Sequence, residues 1–130
     1  MPGETDYRNM ASEAKTEKAD RAELSAFPSR GNNVTVRWDF PEFQSICPVS
    51  GRHDQGVVTI EYKVKEKILE SKSVRDYLTS WRTKTCWQEY VTNEIADALF
   101  ECCKPEWLNV EIEWTPRGGI YAVTTAERPD

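Results

Sequence analysis

At 130 residues and 15.0 kDa the chain has the length of one domain, and its 38% hydrophobic and 30% charged residues make a polar composition in which five Trp, five Tyr and four Phe supply the core. A net charge of −5, from 22 acidic and 17 basic residues with no run of four consecutive cations, argues against a surface that grips a phosphate backbone. No apolar run approaches the ~20 residues of a membrane span and Met1 to Asp20 lacks the apolar region of a secretory signal, so a soluble, cytoplasmic protein is expected.

Residues 1–26 carry ten charged side chains, with Tyr7 and Leu24 the sizeable apolar anchors beside Met1 and Met10. That composition predicts a flexible charged tail, and residues 27–130 are expected to form the single folded domain. Val34, Val36, Trp38 and Phe40 then alternate with Thr35, Arg37 and Asp39, the period of two of a strand with one buried face. A second strand is predicted at Val57 to Val64, and Pro41 to Gly56 between them reads as a loop.

The period next becomes helical. Val74, Tyr77, Leu78 and Trp81 fall at i, i+3, i+4 and i+7, with Ser71 or Ser73 as cap. A second helix is predicted to open at Thr85, where Thr85 and Gln88 have capping-box spacing. Trp87, Val91, Ile95, Leu99 and Cys102 form its stripe, and Pro105 ends it. Leu108, Val110, Ile112 and Trp114 make a third strand, and the Thr115-Pro116-Arg117-Gly118-Gly119 turn leads to a fourth at Ile120 to Thr125. The order is ββααββ, an α+β chain in which two helices cover one face of a four-stranded antiparallel sheet. The other face carries Thr35, Arg37, Thr59, Glu61, Lys63, Glu111 and Glu113, suited to water or to the lumen of a multi-subunit barrel.

The four cysteines, Cys47, Cys86, Cys102 and Cys103, show no CxxC and no regular framework, so reduced thiols are expected and neither a disulfide scaffold nor a metal site. Cys47 lies beside Pro48 with Asp54 seven residues on, the makings of a nucleophile with an acid/base partner; a buried cysteine without chemistry is the alternative. The one histidine, His53, is expected to face solvent.

Glu42-Phe43-Gln44-Ser45-Ile46-Cys47-Pro48-Val49-Ser50-Gly51 resembles the catalytic-loop signature of the NADPH-dependent 7-cyano-7-deazaguanine reductases, the QueF nitrile reductases of queuosine biosynthesis, in their unimodular form. Leu69-Glu70-Ser71-Lys72-Ser73 resembles their cofactor motif, Glu89 falls where they hold the base, and the Thr115 to Gly119 turn resembles their late turn. The resemblance runs from about Asn33 to Thr125 and implies the tunnelling fold (T-fold), assembled into multi-subunit barrels. It implies Cys47 as the nucleophile that forms a thioimide and Asp54 as proton donor. Glu89, Glu70, Ser71 and Gln88 would contact the nucleobase, and Lys72, Ser73, Arg75, Arg117 and Gly118 would hold NADPH. At Lys72, flanking hydroxyls and helix N-terminal amides would converge on a phosphate. The implied partner is a free nucleobase, with no direct contact to nucleic acid or membrane. The implied assembly is a homo-oligomer with sites between subunits, up to a decamer of two pentameric rings.

Two departures stand out. Arg75 replaces the family's usual Lys and Asp76 its apolar neighbour, and Gln88 replaces the usual His before the base-binding glutamate. Gln hydrogen-bonds but carries no proton at neutral pH. Two other functions fit parts of the pattern: an amidine-forming, archaeosine-type T-fold relative that adds ammonia to the nitrile on tRNA, and a catalytically silent purine-binding module. The Lys72 motif and the acidic balance favour the reductase.

Overall fold

The computed structural model describes residues 14–31 and 33–130. Within them the strands are β1 (Ala26–Pro28), β2 (Thr35–Ile46), β3 (His53–Lys63), β4 (Lys67–Leu69), β5 (Trp107–Trp114) and β6 (Val123–Arg128). The helices are α1 (Ser71–Ser80), continued by a 3-10 turn at Trp81–Thr83, and α2 (Gln88–Cys103). Strands β2-β3-β5-β6 form one antiparallel sheet in that order, while β1 and β4 pair separately. The predicted ββααββ order is present, with the β1–β4 pair added.

Alternation decides which face is buried. Val58, Ile60 and Tyr62 of β3 and Leu108, Val110, Ile112 and Trp114 of β5 are at most 1% exposed, and both helices lie over them. The stripe Ser73, Val74, Tyr77 and Leu78 fixes α1, and Trp81 extends it into the 3-10 turn. In α2 the buried cysteine at the end of the stripe is Cys103, fully buried, and Cys102 is the half-buried one. Lys104 then turns left-handed at φ +46° before Pro105, closing the helix where the sequence predicted.

The stretch from Pro41 to Gly56 is mostly sheet, a correction to the predicted loop. Phe43–Ile46 and His53–Gly56 pair residue for residue, leaving 47–52 as the turn. A register shift between Phe40 and Phe43 absorbs Pro41, which has no N–H for the ladder. Gly56 faces Trp114 across the ladder, and a Cβ there would stand 2.8 Å from the Glu113 carbonyl oxygen. Only glycine lets these strands approach so closely beside Asp54. The fourth strand begins at Val123, later than predicted, because Gly118 and Gly119 make a turn that leaves Ile120 72% exposed.

Of the expected tail, residues 1–13, including Tyr7 and Met10, lie outside the described residues. From residue 14 the backbone runs against the core: Ala19 is 4% exposed and Arg21 reaches both Glu94 (2.7 Å) and Glu101 (2.5 Å) of α2. The Glu17 N–H donates to the Thr85 carbonyl, and the Glu17 carboxylate accepts from the Thr85 N–H at 2.9 Å. Packing therefore begins before residue 27.

Candidate active site

Cys47 opens the turn between β2 and β3 and is half-buried. Its N–H donates to the Arg52 carbonyl (2.8 Å) and its carbonyl accepts from Gly51 N–H (3.0 Å). Gly51 has φ +69°, a conformation glycine adopts without strain. The residue before Cys47 is stitched to the approach of α2: Ile46 N–H donates to the Lys84 carbonyl, and Cys86 N–H donates back to the Ile46 carbonyl. Trp87, Gln88 and Glu89 follow immediately, so these two bonds set the start of α2 beside the cysteine.

The predicted Thr85–Gln88 capping box does not form. Helix α2 opens at Gln88 behind Trp87, whose indole has no acceptor for a side-chain cap, and the Thr85 N–H donates to Glu17. Gln88 is thereby released from capping, and its position borders the cavity beside Cys47.

Asp54, second in β3, is 6% exposed and lies opposite Ser45. Arg117 Nη1 donates to Asp54 Oδ1 at 2.9 Å, and its Nη2 lies 3.5 Å from Ser50 Oγ. Arg117 is fixed in turn by Gly118 (φ +59°) and Gly119 (φ +84°), across which Arg117 and Ile120 exchange N–H···O bonds of 3.2 and 3.1 Å. Two successive positive φ values make the tight hairpin turn that suits twisted strands. Cys47, Asp54, Gln88, Glu89 and Arg117, walled by Trp87 and Trp114, line one cavity of about 400 Å³. This single cavity holds both predicted catalytic residues and two of the four predicted nucleobase contacts. Trp87, Trp114 and Ser50 carry no site signal in the sequence: buried Trp114 and half-buried Trp87 fall on apolar stripes that mark them as core, and exposed Ser50 reads as turn. His53 donates to or accepts from nothing in this cavity, its Nε2 lying 3.0 Å from the Arg82 carbonyl.

The residues at the start of α1 sit elsewhere. Glu70, and neither serine, caps the helix: its carboxylate accepts from Lys72 N–H and Ser73 N–H, each at 2.8 Å. Those two bonds hold its carboxyl below the usual carboxylate range. Ser73 is 8% exposed, its hydroxyl donating to the Glu70 carbonyl and accepting from Ser25 N–H. The expected convergence of amides on a phosphate is thus filled by Glu70, and Ser73 is closed to a ligand. Ser71, Lys72 and Arg75 remain exposed and line a second cavity of about 490 Å³ with Arg37, Trp38 and Asp39. Arg75 has Asp76 at 3.8 Å, both 61% exposed, too loose a pair to neutralise it.

The capping role has a pH signature. A depressed folded-state pKa contributes stability that is present above the unfolded value near 4.5 and is lost as pH falls through the folded value. Glu70→Ala is expected to melt below wild type at neutral pH, with the gap narrowing under acid below 4.5, as followed by circular dichroism.

Burial pushes the other thiols up: Cys86 to about 11, Cys103 to about 12, and Cys102 in the same direction. Among the described residues no three His, Cys, Asp or Glu side chains cluster as metal ligands, and no helix is long and apolar enough to cross a membrane.

The family model described as QueF-like protein matches residues 53–130. An NADPH-dependent 7-cyano-7-deazaguanine reductase of Nitrosococcus oceani is 36% identical over 105 residues, covering 81% of this chain and 81% of its own. Reductases of the same name from Rhodopirellula baltica (34% over 111 residues, 85% of this chain and 92% of the relative) and Prochlorococcus marinus (35% over 96 residues, 74% and 69%) agree. In fold, the apo crystal structure of the archaeosine synthase QueF-Like superposes with a TM-score of 0.66 at 18% identity, covering 76% of this chain and 95% of that one. The likeness bears out the expected T-fold, and the extent of identity to three reductases carries the rest: this chain belongs to the QueF-like family of NADPH-dependent 7-cyano-7-deazaguanine reductases.

Proposed function

We propose that the chain reduces the nitrile of 7-cyano-7-deazaguanine to the aminomethyl group with NADPH, through a thioimide on Cys47. The observation that carries this reading is the single cavity bringing Cys47, Asp54, Gln88 and Glu89 together. The thiol sulfur of Cys47 adds to the open, electrophilic nitrile carbon. The carbon–nitrogen π pair moves to nitrogen as the C–S bond forms, and Asp54 passes the thiol proton to that nitrogen. Glu89 accepts side-by-side hydrogen bonds from the ring N–H and the exocyclic amine of the base, a match its two oxygens provide without distortion. Gln88 closes the pocket and orients the ring.

Ser71, Lys72 and Arg75 fit the phosphates of NADPH as exposed cationic and hydroxyl groups at one helix start, although the α1 amides are committed to Glu70. Two molecules of NADPH, bound in turn, would each supply one hydride to the carbon, with the C–S bond to Cys47 breaking after the first, a four-electron reduction needing neither metal nor flavin.

In one chain the cavity at Cys47 and the cation cluster at α1 have no lining residue in common. A neighbouring copy would bring the two together, and Ile120, Tyr121, Val123 and Tyr90, exposed by 44–72%, supply apolar surface around the Cys47 side for such contacts. The proposed assembly is therefore a homo-oligomer of rings with sites between subunits, a decamer of two pentamers being the closed form in view. Residues 27–130 form the catalytic domain, with residues 14–26 laid against it. Four free thiols suit the cytoplasm.

The test is the loss of NADPH absorbance on adding 7-cyano-7-deazaguanine. Two NADPH consumed per nitrile is the expected stoichiometry. Binding without oxidation moves the chain to the silent purine binders, and ammonia-dependent consumption of nitrile without NADPH moves it to the amidine-forming enzymes.

A further inference from the structure

The hairpin turn that carries Arg117 does not aim it at the cations of α1. Its guanidinium sits on Asp54, whose side chain is 8% exposed, and reaches toward Ser50 in the same turn as Cys47. Both ends of this contact are set by backbone structure. Asp54 pairs opposite Ser45 in the β2–β3 ladder, and Arg117 opens a turn whose two glycines both have positive φ. The charged and titratable groups bordering this cavity are Cys47, Asp54, Glu89 and Arg117, and Arg117 is the one cation among them. Removing it would strand a buried carboxylate without a counter-charge.

We propose that Arg117 is a positioning residue for Asp54: it holds the carboxylate toward Cys47 during proton transfer to the nitrile, and does not serve as a cofactor phosphate ligand. The inference rests on the covalent reading above. In that step the thiol proton leaves Cys47, the C–S bond forms, and the proton ends on the former nitrile nitrogen. The Asp54 carboxylate is unchanged at the close, so it must stay in place through both transfers. A guanidinium on one oxygen leaves the other oxygen for the proton. The bond to Ser50 ties the same guanidinium to the turn that carries the nucleophile. A one-ångström displacement of such a group can cost on the order of a hundredfold in rate.

A cofactor role and a positioning role separate when no NADPH is present. With the full chain and 7-cyano-7-deazaguanine alone, wild type is expected to form the adduct, read by intact mass and near-ultraviolet absorbance. Arg117→Gln is expected to form it about 10- to 100-fold more slowly, with KM for NADPH in turnover changed by less than about twofold. Arg117→Lys, which keeps the charge but loses the fork to Ser50, is expected to fall between the two, and carries the comparison alone if the glutamine variant does not fold. Wild-type adduct rates in these variants with a raised KM for NADPH would overturn the proposal and return Arg117 to the cofactor. Absence of the adduct in wild type would instead sink the thioimide reading. The ion pair is then judged by a thermal-unfolding cycle of Arg117→Gln, Asp54→Asn and the double variant: non-additive melting shifts support the coupling, and additive shifts overturn it.

Discussion

Cys47→Ala is expected to lose turnover by on the order of 10⁴-fold or more, the scale of removing a covalent nucleophile, while still binding the nucleobase. The reason is chemical: no other group in the cavity can form a thioimide, since the polar groups of the remaining lining residues are carboxylates, an amide, two hydroxyls, indole N–H groups and a guanidinium. The other three thiols are poor substitutes. Burial raises Cys86 to about 11 and Cys103 to about 12, so at neutral pH both are protonated, and neither borders the cavity. Cys86→Ala, Cys102→Ala and Cys103→Ala are accordingly expected to retain activity, apart from what the larger voids at the two most buried positions cost in stability. Steady-state rates for the four variants, paired with equilibrium binding of the base to Cys47→Ala, check this. Full activity of Cys47→Ala would mean that the cysteine is structural.

The second large effect is expected at the start of α2. Glu89→Ala should slow adduct formation and turnover together, at about 1.5–3 kcal/mol for each charge-assisted bond lost, or roughly 10- to 100-fold per bond. Glu89 is exposed in the single chain and occupies the first turn of the helix, where an acid also suits the dipole. A dipole role would show as a change in melting temperature with kinetics intact, so both are measured. Gln88 is expected to position only. Gln88→His, which restores the family's usual residue, should change the rate modestly and add no ionisation to the pH–rate profile if, as proposed, Asp54 is the proton donor. A rise in turnover of orders of magnitude with a titration near the imidazole pKa of ~6.5 would mark this chain as one that has given up nitrile reduction.

The parts of the fold that announce themselves in the sequence are those whose buried residues are apolar and regularly spaced. Val58, Ile60 and Tyr62, then Leu108 to Trp114, declare their strands, and Val74 to Trp81 their helix, because burial acts on alternate or every third and fourth side chain. Where the buried residues are polar, that signal fails. Ser45 and Asp54 occupy inward positions of β2 and β3, but Pro41, Pro48, Gly51 and Gly56 around them have the composition of a loop. The docking of residues 14–26 rests on a few scattered apolar residues, Ala19, Leu24 and Ala26, and on Arg21, whose partners Glu94 and Glu101 are distant in sequence. The motifs single out Cys47, Asp54 and Glu89, and the fold brings all three to one cavity. The Arg117–Asp54 pair is not legible in the sequence, since its members are 63 residues apart and no local pattern couples a cation in a glycine turn to that carboxylate.

The clasp of Glu17 on Thr85 spans 68 residues, and the segment it holds is the one stitched to Ile46, next to Cys47. Such a contact closes a long loop, and the entropy of closure is recovered only after the sheet and both helices have given Thr85 a fixed position. The clasp is therefore expected to form late in folding and to be among the first contacts to open by local fluctuation. The turn at Cys47 is expected to settle late: a chain with its sheet assembled but this strap undocked would have native secondary structure without the contact that fixes the approach to α2.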